Sequence, residues 1–192
     1  VRAVSIECEP TPPVLSVEEA LEAKTRIYGE DNVFKEITIA RGDLVGGYAA
    51  SDHIVEGEYT CGHQEQLYIE NNGMIAERTA EGGIFVRGSL QCPYYVHRAL
   101  ERIFRLPTEK VRVAQTVTGG GFGGKEEYPS MIGGHAALLA WKSGRPVKIM
   151  YDRLEDIAAT TKRHPAHMRV RAGVQRDGTL RALEVELAMD GG

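Results

Sequence analysis

The densest glycine stretch, Gly119-Gly120-Gly121-Phe122-Gly123-Gly124-Lys125-Glu126, constrains this chain more than any other feature. A β-rich run, Val111 to Val117, leads straight into it. An apolar run, Met131 to Trp141, follows, with Pro129 suited to the first helical turn and Gly144 and Pro146 supplying the stop. Strand, glycine loop and helix in that order place backbone N–H groups at a helix N-terminus, where the dipole favours anionic or oxygen-rich ligands. The plain alternative is a tight turn that lets the helix approach the strand.

The loop can be read in three functional ways. Gly119, Gly124 and Lys125 match most of the phosphate-binding GxxxxGK[ST] pattern, but Glu126 stands where a hydroxyl must meet magnesium, and its carboxylate would repel phosphates. Gly119, Gly121 and Gly124 satisfy GxGxxG, the dinucleotide fingerprint, but no acidic residue sits at the expected spacing of about 20 residues. In the third reading, Phe122 projects into a cavity as a wall while neighbouring N–H groups face a ligand. Glu126 and Glu127 then fall where the helix begins, and the roughly 100° between successive helical side chains lets only one of them face a pocket.

Composition narrows the function classes. Hydrophobic residues make up 42% and charged residues 26%, with a formal net charge of −4. These values fit an ordinary folded domain and lack the basic excess of a nucleic-acid binder. No apolar run approaches the ~20 residues of a membrane-spanning helix, and no basic-then-apolar leader opens the chain, so a cytoplasmic location is expected. Cys8, Cys61 and Cys92 lie far apart and lack the spacing of a disulfide framework, a zinc site or a four-cysteine cluster. Cys61 and His63 form only half of a metal site, so no metal ligand set is assigned.

Along the chain, residues 3–8 read as a strand, and Ser16 with Glu19 forms a capping box for a short helix. Residues 1–30 read as a lead-in arm. Strands are expected around residues 55–60, 66–70, 73–77 and 84–87, and a helix runs from Pro93 to before Pro107. The apolar run after the glycine loop is expected to be a buried helix, with His135 as a satisfied core histidine and His97 in a similar setting. A strand follows at 147–151. Strands at 170–174 and 180–189 flank Arg176-Asp177-Gly178, a hairpin signal. Lys162, Arg163, His164, His167, Arg169 and Arg171 form the one basic concentration; alternation with Val170 and Ala172 marks a solvated strand face, with a cofactor phosphate edge as the functional alternative. The mixture predicts an α+β architecture of layered mixed or antiparallel sheets with packed helices.

Taken together, four stretches resemble the molybdenum-binding subunit of the xanthine dehydrogenase and aldehyde oxidase family, the molybdenum hydroxylases. They are the glycine string GGGFGGKE, the run Gln64-Glu65-Gln66-Leu67-Tyr68-Ile69-Glu70, the pair Gly144-Arg145-Pro146-Val147 and Tyr151-Asp152-Arg153-Leu154-Glu155-Asp156, and Arg163-His164-Pro165. The resemblance implies that residues 31–192 are the first part of a molybdopterin-binding domain whose remainder lies elsewhere. It implies a molybdopterin-type molybdenum cofactor packed against Gly120, Gly121, Phe122 and Gly123. Gln64 would donate to an oxo ligand of the metal, and Glu126 would orient substrate. The implied reaction is a water-derived hydroxylation of an N-heterocycle or aldehyde, with electrons passed to partner subunits or domains that carry iron–sulfur clusters and FAD. The family's general-base glutamate and most pterin-phosphate contacts are expected beyond residue 192, so the chain alone should bind cofactor weakly and turn over nothing. Cys61-Gly62-His63, Gln66 and Leu67 depart from the family pattern. The readings from other classes are a dinucleotide-binding oxidoreductase domain and a non-catalytic scaffold or assembly module.

Overall fold

The computed structural model describes residues 5–191. In chain order the elements are α1 (Val17–Glu22), α2 (Leu44–Ala49), β1 (His53–Cys61), β2 (Gly73–Arg78), β3 (Ile84–Gly88), α3 (Pro93–Phe104) and β4 (Val111–Gln115). The glycine loop follows, then α4 (Pro129–Ser143), β5 (Val147–Met150), α5 (Arg153–Ala159), β6 (Ala166–Val174) and β7 (Leu180–Met189). The chain divides into two compact units, Val1–His63 with His164–Gly192, and Gln64–Arg163. Both units combine helices with a sheet, in agreement with the expected α+β class.

The first unit is built on an antiparallel sheet of order β1-β6-β7. Its β6–β7 hairpin turns at Arg176-Asp177-Gly178, where Gly178 takes φ +87°, a conformation that other residues rarely adopt. Register puts Glu56, Arg171 and Glu184 in one cross-strand row and Glu58, Arg169 and Glu186 in the next. Arg171 pairs with Glu56 at 2.9 Å and Arg169 with Glu58 at 2.8 Å. The strand part of the basic concentration is therefore a solvated, charge-paired face, as its alternation predicts. The opposite face carries Val55, Tyr59, Leu183, Val185 and Leu187, all exposed.

The second unit is a four-stranded sheet of order β4-β3-β2-β5, in which only β3 and β4 run parallel. Alternation along β2 buries Met74 and Ala76, and β3 adds Ile84 and Val86. These meet Val96 and Leu100 of α3 and Ile132, Ala136, Ala137 and Ala140 of α4, which close the core. Small residues along α4 let it lie close to the sheet.

Several expected elements differ. Residues 5–8 form no strand and are exposed; the rest of that predicted strand lies outside the described residues. Residues 66–70 are irregular because Leu67 takes φ +49°, which breaks an extended run. Helix α4 is buried on one side only: Met131, Leu138 and Leu139 are exposed, and His135 lies on that outer side rather than in the core. His97 does find partners, with Nε2 3.0 Å from the Val111 carbonyl oxygen.

Candidate functional site

The glycine loop lies wholly in the second unit, between β4 and α4. Its shape follows from what its backbone touches. Gly120 and Gly123 take φ +105° and +93°, and Phe122 between them takes φ +53°. A left-handed phenylalanine is uncommon and must be held in place by its surroundings. The residue is 77% exposed.

Three side chains anchor the loop. Glu70 Oε2 accepts from Gly119 N at 2.7 Å, while the Glu70 amide donates to the Gly119 carbonyl at 3.3 Å. Gln91 Oε1 accepts from Gly123 N at 3.0 Å and Lys125 N at 3.2 Å, and the Gln91 amide donates to the Lys125 carbonyl at 2.7 Å. Because both loop partners are donors, they fix which end of the Gln91 amide is oxygen. Lys125 is fully buried; its Nζ donates to the Glu70 carbonyl at 2.7 Å, to Glu70 Oε2 at 3.0 Å and to Ser89 Oγ at 3.1 Å. Burial works against ionisation of Glu70, but donors from Ser89, Gly119 and Lys125 outweigh it and hold the carboxyl below its ordinary range.

Tyr68 forms the floor. A Cβ added at Gly124 would meet the Tyr68 ring at 2.6 Å, and one added at Gly121 would collide with the Gln91 amide. Only glycine permits this approach. The Tyr68 hydroxyl donates to Asp156 Oδ1 at 2.8 Å, and Asp156 also accepts from the Asn72 amide at 2.6 Å and Asn72 Nδ2 at 3.0 Å. Burial and the bond to Asp156 push the Tyr68 phenol above its usual pKa, so it stays protonated.

After these anchors, the N–H groups of Gly120, Gly121 and Phe122 have no acceptor among the described residues, and neither has Gln91 Nε2. One buried acceptor beside the loop, Gln66 Oε1, also lacks a partner. Donors therefore dominate, and they suit a ligand rich in oxygen acceptors. This is the fit required of an oxo- and phosphate-bearing pterin cofactor.

The structure rearranges the sequence-predicted residues. Gly120, Gly121, Phe122 and Gly123 come together as the crest. Glu126 and Glu127 are both exposed and both precede α4, because Pro129 occupies its first turn; the angular spacing of helical side chains therefore does not separate them. Gln64 lies at the edge of the unit, its carbonyl accepting from Arg163 N at 2.9 Å. Gln91 escaped sequence reasoning; its signal was a lone amide just before Pro93, at the entrance to α3.

Two alternatives lose their footing. Lys125 is buried with its three donors engaged, so it cannot reach a phosphate as a phosphate-loop lysine does. For a dinucleotide unit, the strand after the helix should lie parallel beside β4; instead β5 pairs antiparallel with β2, on the far side of β3.

Comparison with known proteins gives the family. A family model described as molybdopterin cofactor-binding domain matches residues 27–192. The chain is 35% identical over 190 residues to a probable xanthine dehydrogenase subunit of Bacillus subtilis, covering 98% of this chain and 25% of that protein. It is 33% identical over 191 residues to the nicotinate dehydrogenase large molybdopterin subunit of Eubacterium barkeri, covering 99% and 44%. Among solved structures, aldehyde oxidoreductase from Desulfovibrio gigas superposes with a TM-score of 0.82 at 25% identity, covering 97% of this chain and 21% of that one. The chain thus spans less than half the length of these relatives.

Proposed function

Because the chain belongs to the molybdopterin cofactor-binding domain family, we propose that it is the part of a xanthine dehydrogenase-like hydroxylase that holds the metal–pterin group against residues 119–126. The observation that carries this reading is the crest of three consecutive unspent N–H groups, left over after Gly119, Gly123, Gly124 and Lys125 on either side have found acceptors. When bound, the cofactor supplies the redox chemistry of a water-derived hydroxylation of an N-heterocycle or aldehyde.

The chain's own residues bind and orient. Gly120, Gly121 and Phe122 donate from the crest, Gly123 leaves open surface beside them, and the Phe122 ring walls the substrate side. The amide-donor role that the resemblance gives to Gln64 is kept, and Gln91 joins it as a second donor beside the loop: its oxygen accepts from Gly123 N and Lys125 N, which leaves Nε2 without an acceptor among the described residues. Glu126 is exposed just past the loop and orients substrate. Neither Glu126 nor Glu127 is assigned as a general base. By the same reading, the rest of the molybdenum subunit completes the site. Iron–sulfur and FAD subunits or domains carry the electrons away in the cytoplasm; among the described residues no helix is long and apolar enough to cross a membrane.

The test is molybdenum and pterin content of the full-length protein in its complex. Wild type is expected to carry both, and Gln91→Leu to retain about 10- to 100-fold less, the scale seen when a cofactor's supporting partners are removed. Wild type free of molybdenum, but binding NAD or FAD through this region, would support the dinucleotide reading instead.

A further inference from the structure

We propose that Glu70 and Lys125 form a clasp, a positioning pair that draws both ends of the glycine loop onto one carboxylate oxygen and so sets the crest. This rests on the cofactor reading above.

A single atom, Glu70 Oε2, accepts from the first residue of the loop, Gly119 N at 2.7 Å, and from the side chain at its far end, Lys125 Nζ at 3.0 Å. The ammonium has three donors and three acceptors: Glu70 Oε2, the Glu70 carbonyl and Ser89 Oγ. Lys125 is fully buried, and among the described residues Glu70 is the one carboxylate it pairs with. A buried cation is costly unless it is paired and hydrogen-bonded, so the loop has one well-satisfied arrangement and any slippage leaves the charge uncompensated. The Tyr68 ring, 4.7 Å from Lys125 Nζ, limits its movement on another side. With Gly119 and Lys125 pinned, the intervening residues must arch outward. That accounts for three positive φ values within the arch. Neither clasp residue touches the crest amides, so their effect on the cofactor passes through the backbone.

A purely structural role would lower stability without altering the metal centre. The experiment therefore compares Lys125→Met, Glu70→Gln and Ser89→Ala with Leu100→Ala, which weakens the core of the same unit away from the clasp, all in the full-length holoenzyme. It measures molybdenum per protomer, the thermal midpoint and the paramagnetic resonance spectrum of the half-reduced metal. Lys125→Met and Glu70→Gln are expected to lose cofactor by about 10- to 100-fold and to shift the spectrum of what they retain. Leu100→Ala is expected to keep the wild-type spectrum at a similar midpoint. Should Lys125→Met fail to fold, Ser89→Ala decides, since it removes one acceptor and no charge: a shifted spectrum is expected. Wild-type spectra in the clasp variants, or loss that merely follows the midpoint as in Leu100→Ala, would overturn the clasp. A wild-type protein without molybdenum would instead overturn the site reading itself.

Discussion

Glu70 shows how one side chain joins stability to site geometry. Its carboxyl is held below the ordinary glutamate range by the donors around it, so the folded state binds that proton less readily than the unfolded chain. Its contribution is therefore fully present above the unfolded value, about 4.3, and is lost as pH falls through the lowered folded value. In a pH series of thermal midpoints, wild type should exceed Glu70→Gln at neutral pH, and the two should converge in acid; a gap that persists in acid would contradict this account. Gly124→Ala is the steric counterpart, since its methyl meets a buried ring at 2.6 Å. Denaturant unfolding is expected to show a loss of about 1–3 kcal/mol, the usual cost of overpacking. Neither effect was legible in the sequence. The GGKE string made Lys125 look like a phosphate ligand, because its real acceptors, Glu70 and Ser89, lie 55 and 36 residues away. Glycine spacing reported that backbone comes close to something, but not to what.

Among the elements, legibility followed periodicity and length. Helices α3 and α4 and the β6–β7 hairpin announced themselves through apolar spacing, proline and glycine stops, and Arg176-Asp177-Gly178. Short α2 and α5 did not, although Asp43 and Asp152 cap them by accepting from Gly46 N at 3.0 Å and Glu155 N at 2.8 Å. The segment 66–70 misled because its β-rich composition follows burial of Tyr68 rather than strand pairing. Helix α5 matters to the site because it presents Asp156, fully buried, to Tyr68 and Asn72 beneath the loop. Removing that carboxylate strands buried donors at a cost of about 1–3 kcal/mol for each. Asp156→Ala is thus expected to be among the most destabilising single substitutions in the second unit. An unfolding free energy within about 0.5 kcal/mol of wild type, the scatter of neutral surface changes, would contradict the network.

For the molecule as a whole, the exposed apolar surfaces and the partial span of its relatives point the same way. The first unit exposes Leu183, Val185 and Leu187 on one sheet face, and the second exposes Met131, Leu138 and Leu139 along α4. Contiguous apolar surface of this kind marks a place where other polypeptide packs. Residues 1–192 on their own should bind an environment-sensitive apolar dye strongly, and the full-length subunit weakly; equal binding would argue against covered faces. The central claim is tested most directly by an anomalous difference map at the molybdenum edge from crystals of the loaded full-length assembly. The predicted result is a metal peak facing the Gly120–Phe122 amides and the Phe122 ring. A peak on another surface of the second unit, with those amides turned toward solvent, would contradict it.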